Sequence, residues 1–278
     1  MATNPSITDL WNLETIEISD PVAVQSAAEE DAKAISYHKS TVRKEEMNGR
    51  YNVALPWKQP KSTLPTNRQV AEKRLRSATA KLKKTGKWEN YDCIFKDWEK
   101  ENFIKTVDDG DNGHFLPHRL VFKESLTNPV RPVFDASCRN GRLPSLNDCL
   151  YIGPNLIELI PTLLLRFRLH KVGIYADIRK AFQMMGVKEQ DQNYQKFLWW
   201  EDLICERIKV FQHLRVVFGV SSSPFLLMAT LLYHLETQPE KYAKTAEILR
   251  YSFYVDNCLV SLPSLQQAKT SKEEANHG

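Results

Sequence analysis

Apolar residues recur at helical intervals through the first part of the chain and at strand intervals further on. Residues 1–45 are a polar lead-in in which one Ala-rich, acidic stretch over residues 22–34 predicts a short helix. Residues 51–57 read as an extended piece closed by Pro56. From Asn67, the positions Val70, Leu75, Ala78 and Leu82 repeat at helical spacing among many lysines and arginines, which predicts a basic amphipathic helix. Ile94, Phe95, Trp98 and Ile104 form the stripe of a second helix expected over residues 91–103.

After Gly110 and Gly113 the pattern shortens to strands at 118–122 and 130–135, joined by the turn-prone Thr127-Asn128-Pro129. Residues 156–169 read as a helix in spite of Pro161. The apolar run 172–176 ends at Asp177, which predicts a buried strand presenting a carboxylate at its end. Residues 252–256 and 258–262 are β-rich runs meeting at the turn-forming pair Asp256-Asn257, a hairpin with an acid at its tip.

Composition narrows this picture only a little. With 278 residues, 42% apolar and 26% charged, the chain is long enough for a packed core, and its net charge of +4 is mild. The distribution is more informative: residues 1–36 carry net −6, whereas residues 58–105 carry net +7, so the second stretch suits phosphates or a solvated helix face equally well. Five scattered cysteines with no Cys-x-x-Cys pair fit reduced thiols and an intracellular protein, cytoplasmic or nuclear. Acids at the N-terminus stand where a secretory signal needs bases. The uncharged run 216–233 is broken by Gly219 and by Ser221-Ser222-Ser223-Pro224, which fits a buried turn and core helix better than a membrane span. His114 and His118 have a zinc-like spacing, but Pro117 lies between them and no cysteine pair accompanies them.

Asp177 and Asp256 are the residues with the most chemistry to offer. Nucleotidyl transfer uses two divalent ions a few ångströms apart, and carboxylates from separate strands are a common way to bridge them. Taken singly, an Asp at a strand end also caps the following helix, and Asp-Asn is an ordinary turn.

The ordered series HFLPHRLVFKE, VRPVFDAS, SLNDCLYIGPNL, LLRFR, YADIRKAFQMMGV, FGVSSSPFLLMATL and SFYVDNCLVS resembles reverse transcriptases, most of all the pol polyprotein of BEL/Pao LTR retrotransposons. The lead-in LWNLETIEI resembles the junction that follows the aspartic protease in such polyproteins. The resemblance implies an α+β right-hand polymerase fold: fingers over 46–150, and over 151–278 a palm whose antiparallel sheet packs on helices. It also implies truncation after the catalytic hairpin, with the thumb absent.

Carried over by position, the resemblance makes Asp177 and Asp256 the catalytic, metal-binding carboxylates for Mg²⁺ or Mn²⁺. The Ile178 carbonyl is a further oxygen ligand, and Asn257 stands where the family has a second acid. Lys123 and Arg131 match phosphate-gripping residues, Phe182 the aromatic gate against a ribose 2′-hydroxyl, and Gly219 the pocket floor. Phe218 replaces a glutamine found in many relatives. Arg68, Arg74, Lys81 and Lys84 are candidates for nucleic-acid contact. Implied partners are an RNA or DNA template-primer, deoxynucleoside triphosphates and the remaining polyprotein domains, with no membrane. The alternative is a catalytically inactive retroelement remnant that only binds nucleic acid.

Overall fold

The computed structural model describes residues 21–46, 48–110, 112–122, 130–202, 204 and 206–277. Lys123, the turn 127–129 and the LWNLETIEI segment lie outside the described residues. The chain opens with helix α1 (Pro21–Thr41), the short strands β1 (Arg43–Lys44) and β2 (Tyr51–Val53), helices α2 (Arg68–Lys84) and α3 (Trp88–Lys100), and strand β3 (Ile104–Val107). It continues through β4 (His118–Phe122), β5 (Val130–Phe134), α4 (Ile160–Phe167), β6 (Val172–Asp177), α5 (Ala181–Met184), β7 (Gly186–Val187) and α6 (Glu189–Gln192). The remainder is β8 (Lys196–Asp202), β9 (Arg207–His213), α7 (Ser223–Glu236), α8 (Ala243–Arg250), β10 (Phe253–Tyr254), β11 (Asn257–Leu262) and α9 (Leu265–His277).

Four small sheets share these strands: β1-β2-β7, β3-β9-β8, β10-β11-β6 and the β4-β5 hairpin. The core lies where α2 and α3 cover the antiparallel β3-β9-β8 layer. Leu75, Ala78 and Leu82 of α2 are buried there, as the helical spacing predicts, whereas Ala71 takes the place expected of Val70. Phe95 meets Phe197 and Trp199 with ring centroids 5.0 Å apart, and Trp199 stacks on Trp88 at 4.7 Å.

Two histidines sit inside this aromatic cluster. Tyr91 Oη lies 2.8 Å from His118 Nδ1, and His118 Nε2 lies 3.0 Å from the Leu198 carbonyl oxygen, an acceptor only. Nε2 therefore carries the proton and Nδ1 accepts from the tyrosine, which is a neutral ring. Burial pushes His118 down to about 4, and it pushes His213, which also feels His118, to about 3. His114 Nδ1 lies 2.6 Å from the Pro65 carbonyl, so both members of the zinc-like pair make backbone hydrogen bonds.

Several elements differ from expectation for identifiable reasons. The helix expected over 91–103 runs from Trp88 to Lys100, because Asn102 takes a left-handed φ of 56° and the Phe103 and Asn102 N–H groups close back on Trp98 and Glu99. Ile104 consequently begins a strand. Pro161 starts α4 rather than interrupting a longer helix, since its fixed φ and missing N–H suit a first turn. The short helix expected within the lead-in extends to Thr41 and joins the core: Ala34 is buried, and His38 Nε2 lies 3.1 Å from Thr230 Oγ1 on α7.

The largest difference concerns β6. Expected to be buried, it is an edge strand that among the described residues pairs with β11 alone, and Tyr175 on it is 67% exposed. One side of the sheet is covered through β10 and β11, whose Phe253 and Cys258 pack with Met228, Leu231 and Leu249 of α7 and α8, and on the other α4 packs at Gly173 and Ser261, away from Asp177.

Candidate active site

The hairpin of β10 and β11 brings the two sequence-distant acids together. In the antiparallel register Asp177 lies opposite Asn257, which in turn lies opposite Tyr254. The two loop residues are therefore Val255 and Asp256, one position earlier than the Asp256-Asn257 turn expected from residue preference. Val255 has φ +57°, a region costly for a β-branched side chain by about 1–3 kcal/mol. Its surroundings hold it there: the Ile178 N–H donates to the Asp256 carbonyl at 2.7 Å, tying the tip to the end of β6.

Asp177 is exposed and Asp256 half-buried, and neither has an ion-pair partner among the described residues. Tyr175 Oη donates to Asn257 Oδ1 at 2.7 Å, and Asn257 Nδ2 donates to Asp256 Oδ1 at 3.2 Å. The Ile178 carbonyl accepts from Ala181 N–H at 3.2 Å, which leaves one lone pair. Among the described residues no group of three or more His, Cys, Asp or Glu side chains gathers in a way that suits a metal ion. The donors at the tip are instead two carboxylates with carbonyl oxygens beside them. That set fits Mg²⁺ or Mn²⁺, hard ions that commonly take one or two carboxylates and complete their shell with substrate phosphates and water.

A cavity of about 370 Å³ opens beside the tip, lined among others by Arg131, Phe134, Lys180, Phe182, Phe218 and Asp256. Arg131 reaches it from β5, opposite Val121, and is exposed without a carboxylate partner among the described residues. Phe182 on α5 is only 3% exposed because Phe218, itself 61% exposed, lies over it with ring centroids 4.2 Å apart. Lys180 stands at the rim with φ +55° and pairs with Glu101. Arg215 also lines the cavity; burial lowers its pKa, and its buried Nε has no hydrogen-bond partner. Sequence reading missed Lys180 and Arg215, although both lie next to motif residues and carry charge.

The loop that follows Phe218 depends on a glycine. Gly219 has φ +103°, and a Cβ there would lie 2.2 Å from the Phe134 carbonyl oxygen, closer than any side chain tolerates. Asn147 holds this loop with two bonds, Nδ2 to the Gly219 carbonyl at 3.1 Å and Oδ1 from the Ser221 N–H at 2.8 Å. Ser223 Oγ donates to the Val217 carbonyl at 2.7 Å as α7 begins. Next to Asn147, Asp148 accepts from Arg139 and from the Ser145 hydroxyl and N–H, which together hold its carboxyl well below the usual range. The SLND motif thus latches the loop of residues 219–221 that follows Phe218.

The basic residues of α2 stand apart, and none of the four lines the cavity. Arg68 is engaged by Glu72 and Asp109 and lies over the Phe115 ring at 5.3 Å, so its charge is largely spent within the fold. Arg74, Lys81 and Lys84 are exposed on the outer face of the helix.

The chain matches no protein-family model and no curated protein. Solved structures are similar to it. The foamy viral protease-reverse transcriptase in complex with dsDNA aligns over 67% of this chain and 33% of its own, at 17% identity and TM-score 0.51. The foamy viral protease-reverse transcriptase dRH in complex with ds DNA aligns over 67% of this chain and 28% of its own, at 17% identity and TM-score 0.50. At that identity the likeness is one of fold, an α+β polymerase fold of the reverse transcriptase kind. The chain spans about a third or less of the length of those solved chains.

Proposed function

We propose that this chain is the fingers and palm part of a retrotransposon reverse transcriptase, of the BEL/Pao type suggested by its motifs, and that it extends a primer on an RNA or DNA template. The observation that carries this reading is the pair of acids Asp177 and Asp256, brought together at the strained hairpin beside a cavity that Arg131 lines, none of the three having an ion-pair partner among the described residues. Asp177, Asp256 and the Ile178 carbonyl would hold Mg²⁺ or Mn²⁺, with Asn257 contributing orientation rather than charge. When bound, such ions activate the primer hydroxyl and neutralise the leaving phosphates.

The other roles belong to the chain itself. The Arg131 guanidinium presents a planar fork to the triphosphate of a deoxynucleotide, a geometry that pairs two phosphate oxygens at once. Lys123 is a candidate partner in that grip. The Phe182 and Phe218 rings together form an apolar wall, with Phe218 as its exposed surface, where a ribose 2′-hydroxyl would lose its water without finding an acceptor. Gly219 lets backbone approach the base pair. Arg74, Lys81 and Lys84 offer a salt-sensitive contact to phosphate backbone. In this reading residues 46–150 are the fingers and 151–278 the palm, and the remaining polyprotein supplies further grip on the duplex.

A second reading, a remnant that binds nucleic acid without copying it, is favoured by one feature, the Asn at position 257 in place of an acid. Primer extension on a primed homopolymer template with Mg²⁺ or Mn²⁺ separates the two. Extension by this chain that disappears in Asp177→Asn supports the polymerase. Template-primer binding without extension, both in this chain and in Asn257→Asp, supports the remnant.

A further inference from the structure

Tyr175 is the most exposed aromatic ring on the sheet that carries the acids, yet its hydroxyl is committed. It lies diagonally across from Asn257 on the same face of the sheet, because Tyr175 pairs with Leu259 and Asp177 with Asn257. Its Oη donates to Asn257 Oδ1 at 2.7 Å. The carboxamide then points Nδ2 at Asp256 Oδ1, 3.2 Å away. The reverse orientation would set two acceptor oxygens, Asn257 Oδ1 and Asp256 Oδ1, against each other, so the neighbouring carboxylate oxygen fixes which way the amide faces.

We propose that Tyr175 and Asn257 form a positioning pair for Asp256, through which a hairpin with one acid at its tip presents that acid to a divalent ion in a fixed rotamer. The proposal rests on the reading of Asp177 and Asp256 as metal ligands. An aspartate at position 257 could still accept from Tyr175, but it would face Asp256 with a second carboxylate and no donor. Asn257 instead donates to one lone pair of Asp256 Oδ1, and the hydrogen bond leaves Oδ2 and the second lone pair of Oδ1 available to an ion. The Tyr175 hydroxyl locks the amide, since without it the side chain of a half-exposed Asn rotates. Neither residue needs to touch the ion. Both act through the carboxylate they orient, as groups hydrogen-bonded to a ligand commonly do.

The test is a double-mutant cycle read by Mn²⁺ binding, with the free ion followed by electron paramagnetic resonance and the fold checked by thermal melting. Tyr175→Phe removes one hydroxyl from an exposed ring, and Asn257→Leu keeps volume while removing both polar atoms. Each single change is expected to weaken Mn²⁺ affinity by about tenfold, and the double variant to bind no more weakly than the weaker single. Unchanged affinity in Tyr175→Phe, or effects that multiply in the double variant, would overturn the pair. Asp177→Asn distinguishes this from failure of the underlying reading: if it binds Mn²⁺ as well as the parent does, the ion is not held at the tip, and the pair falls with the site. If Asp177→Asn loses binding and Tyr175→Phe does not, the site stands and the pair alone is rejected.

Discussion

The β3-β9-β8 layer and the β10-β11-β6 sheet are both three-stranded and antiparallel, but they are built for opposite ends. The first is sealed by α2 and α3, and its interior of Trp199, Phe95, Phe197 and two neutral histidines leaves water no access. The second packs on α7 and α8 through Phe253 and Cys258 and on α4 through Gly173 and Ser261, but at its acid-bearing end Tyr175 and Asp177 stay exposed on an edge strand and a β-branched residue is held at positive φ. Stability resides in the sealed layer because dispersion and burial accumulate there. The acid-bearing end of that sheet can afford carboxylates with no ion-pair partner among the described residues because solvent still reaches it.

Breaking the contrast at its strongest point means removing chemistry without removing stability. Asp177→Asn is expected to lower primer extension by at least about a thousandfold while the melting temperature stays the same or rises slightly. A parallel collapse of the fold would show that the open sheet is structural after all.

The converse change is Phe95→Ala in the sealed layer, expected to cost about 3–5 kcal/mol in urea unfolding. Activity per folded molecule should be nearly untouched.

Acid sharpens the same contrast. His118 and His213 are neutral in the folded chain, with pKa values of about 4 and about 3, whereas the unfolded side chains titrate near the ordinary value of 6.5. Between those values the unfolded state binds more protons, so stability is full above about pH 6.5 and falls as pH drops towards 4, by on the order of a few kcal/mol. A urea series at stepwise pH checks this, and a flat profile across that window would contradict the buried neutral rings.

The smallest expected effect joins the two regions. Gly219→Ala forces a methyl against the Phe134 carbonyl and should cost about 1–3 kcal/mol, together with a higher KM for deoxynucleotides if the loop after Phe218 shifts from Asn147.

Much of the local structure is legible in the residues. The basic helix from Asn67, the β4 strand and the final hairpin all follow from periodicity, and Gly219 stands out in its motif. The limits are equally specific. Nothing in the run 172–176 reveals that β6 is an edge strand, because an apolar stretch reads alike whether one or both sides are covered. Asn102 ends α3 by a left-handed turn that residue type only favours. Arg68 looks as available as Arg74 until Asp109 is found beside it. Lys180 and Arg215 gain interest only because the fold turns them towards the cavity.

The sequence by itself determined which segments could be helix or strand, where the carboxylates lie and which motifs accompany them, because those depend on spacing and on side-chain chemistry. Only the tertiary structure decided that Asp177 and Asp256 share one tip, that the hairpin turns at Val255-Asp256, and that Tyr175 reaches Asn257. These are consequences of strand register, and register is set by packing between residues far apart in the chain.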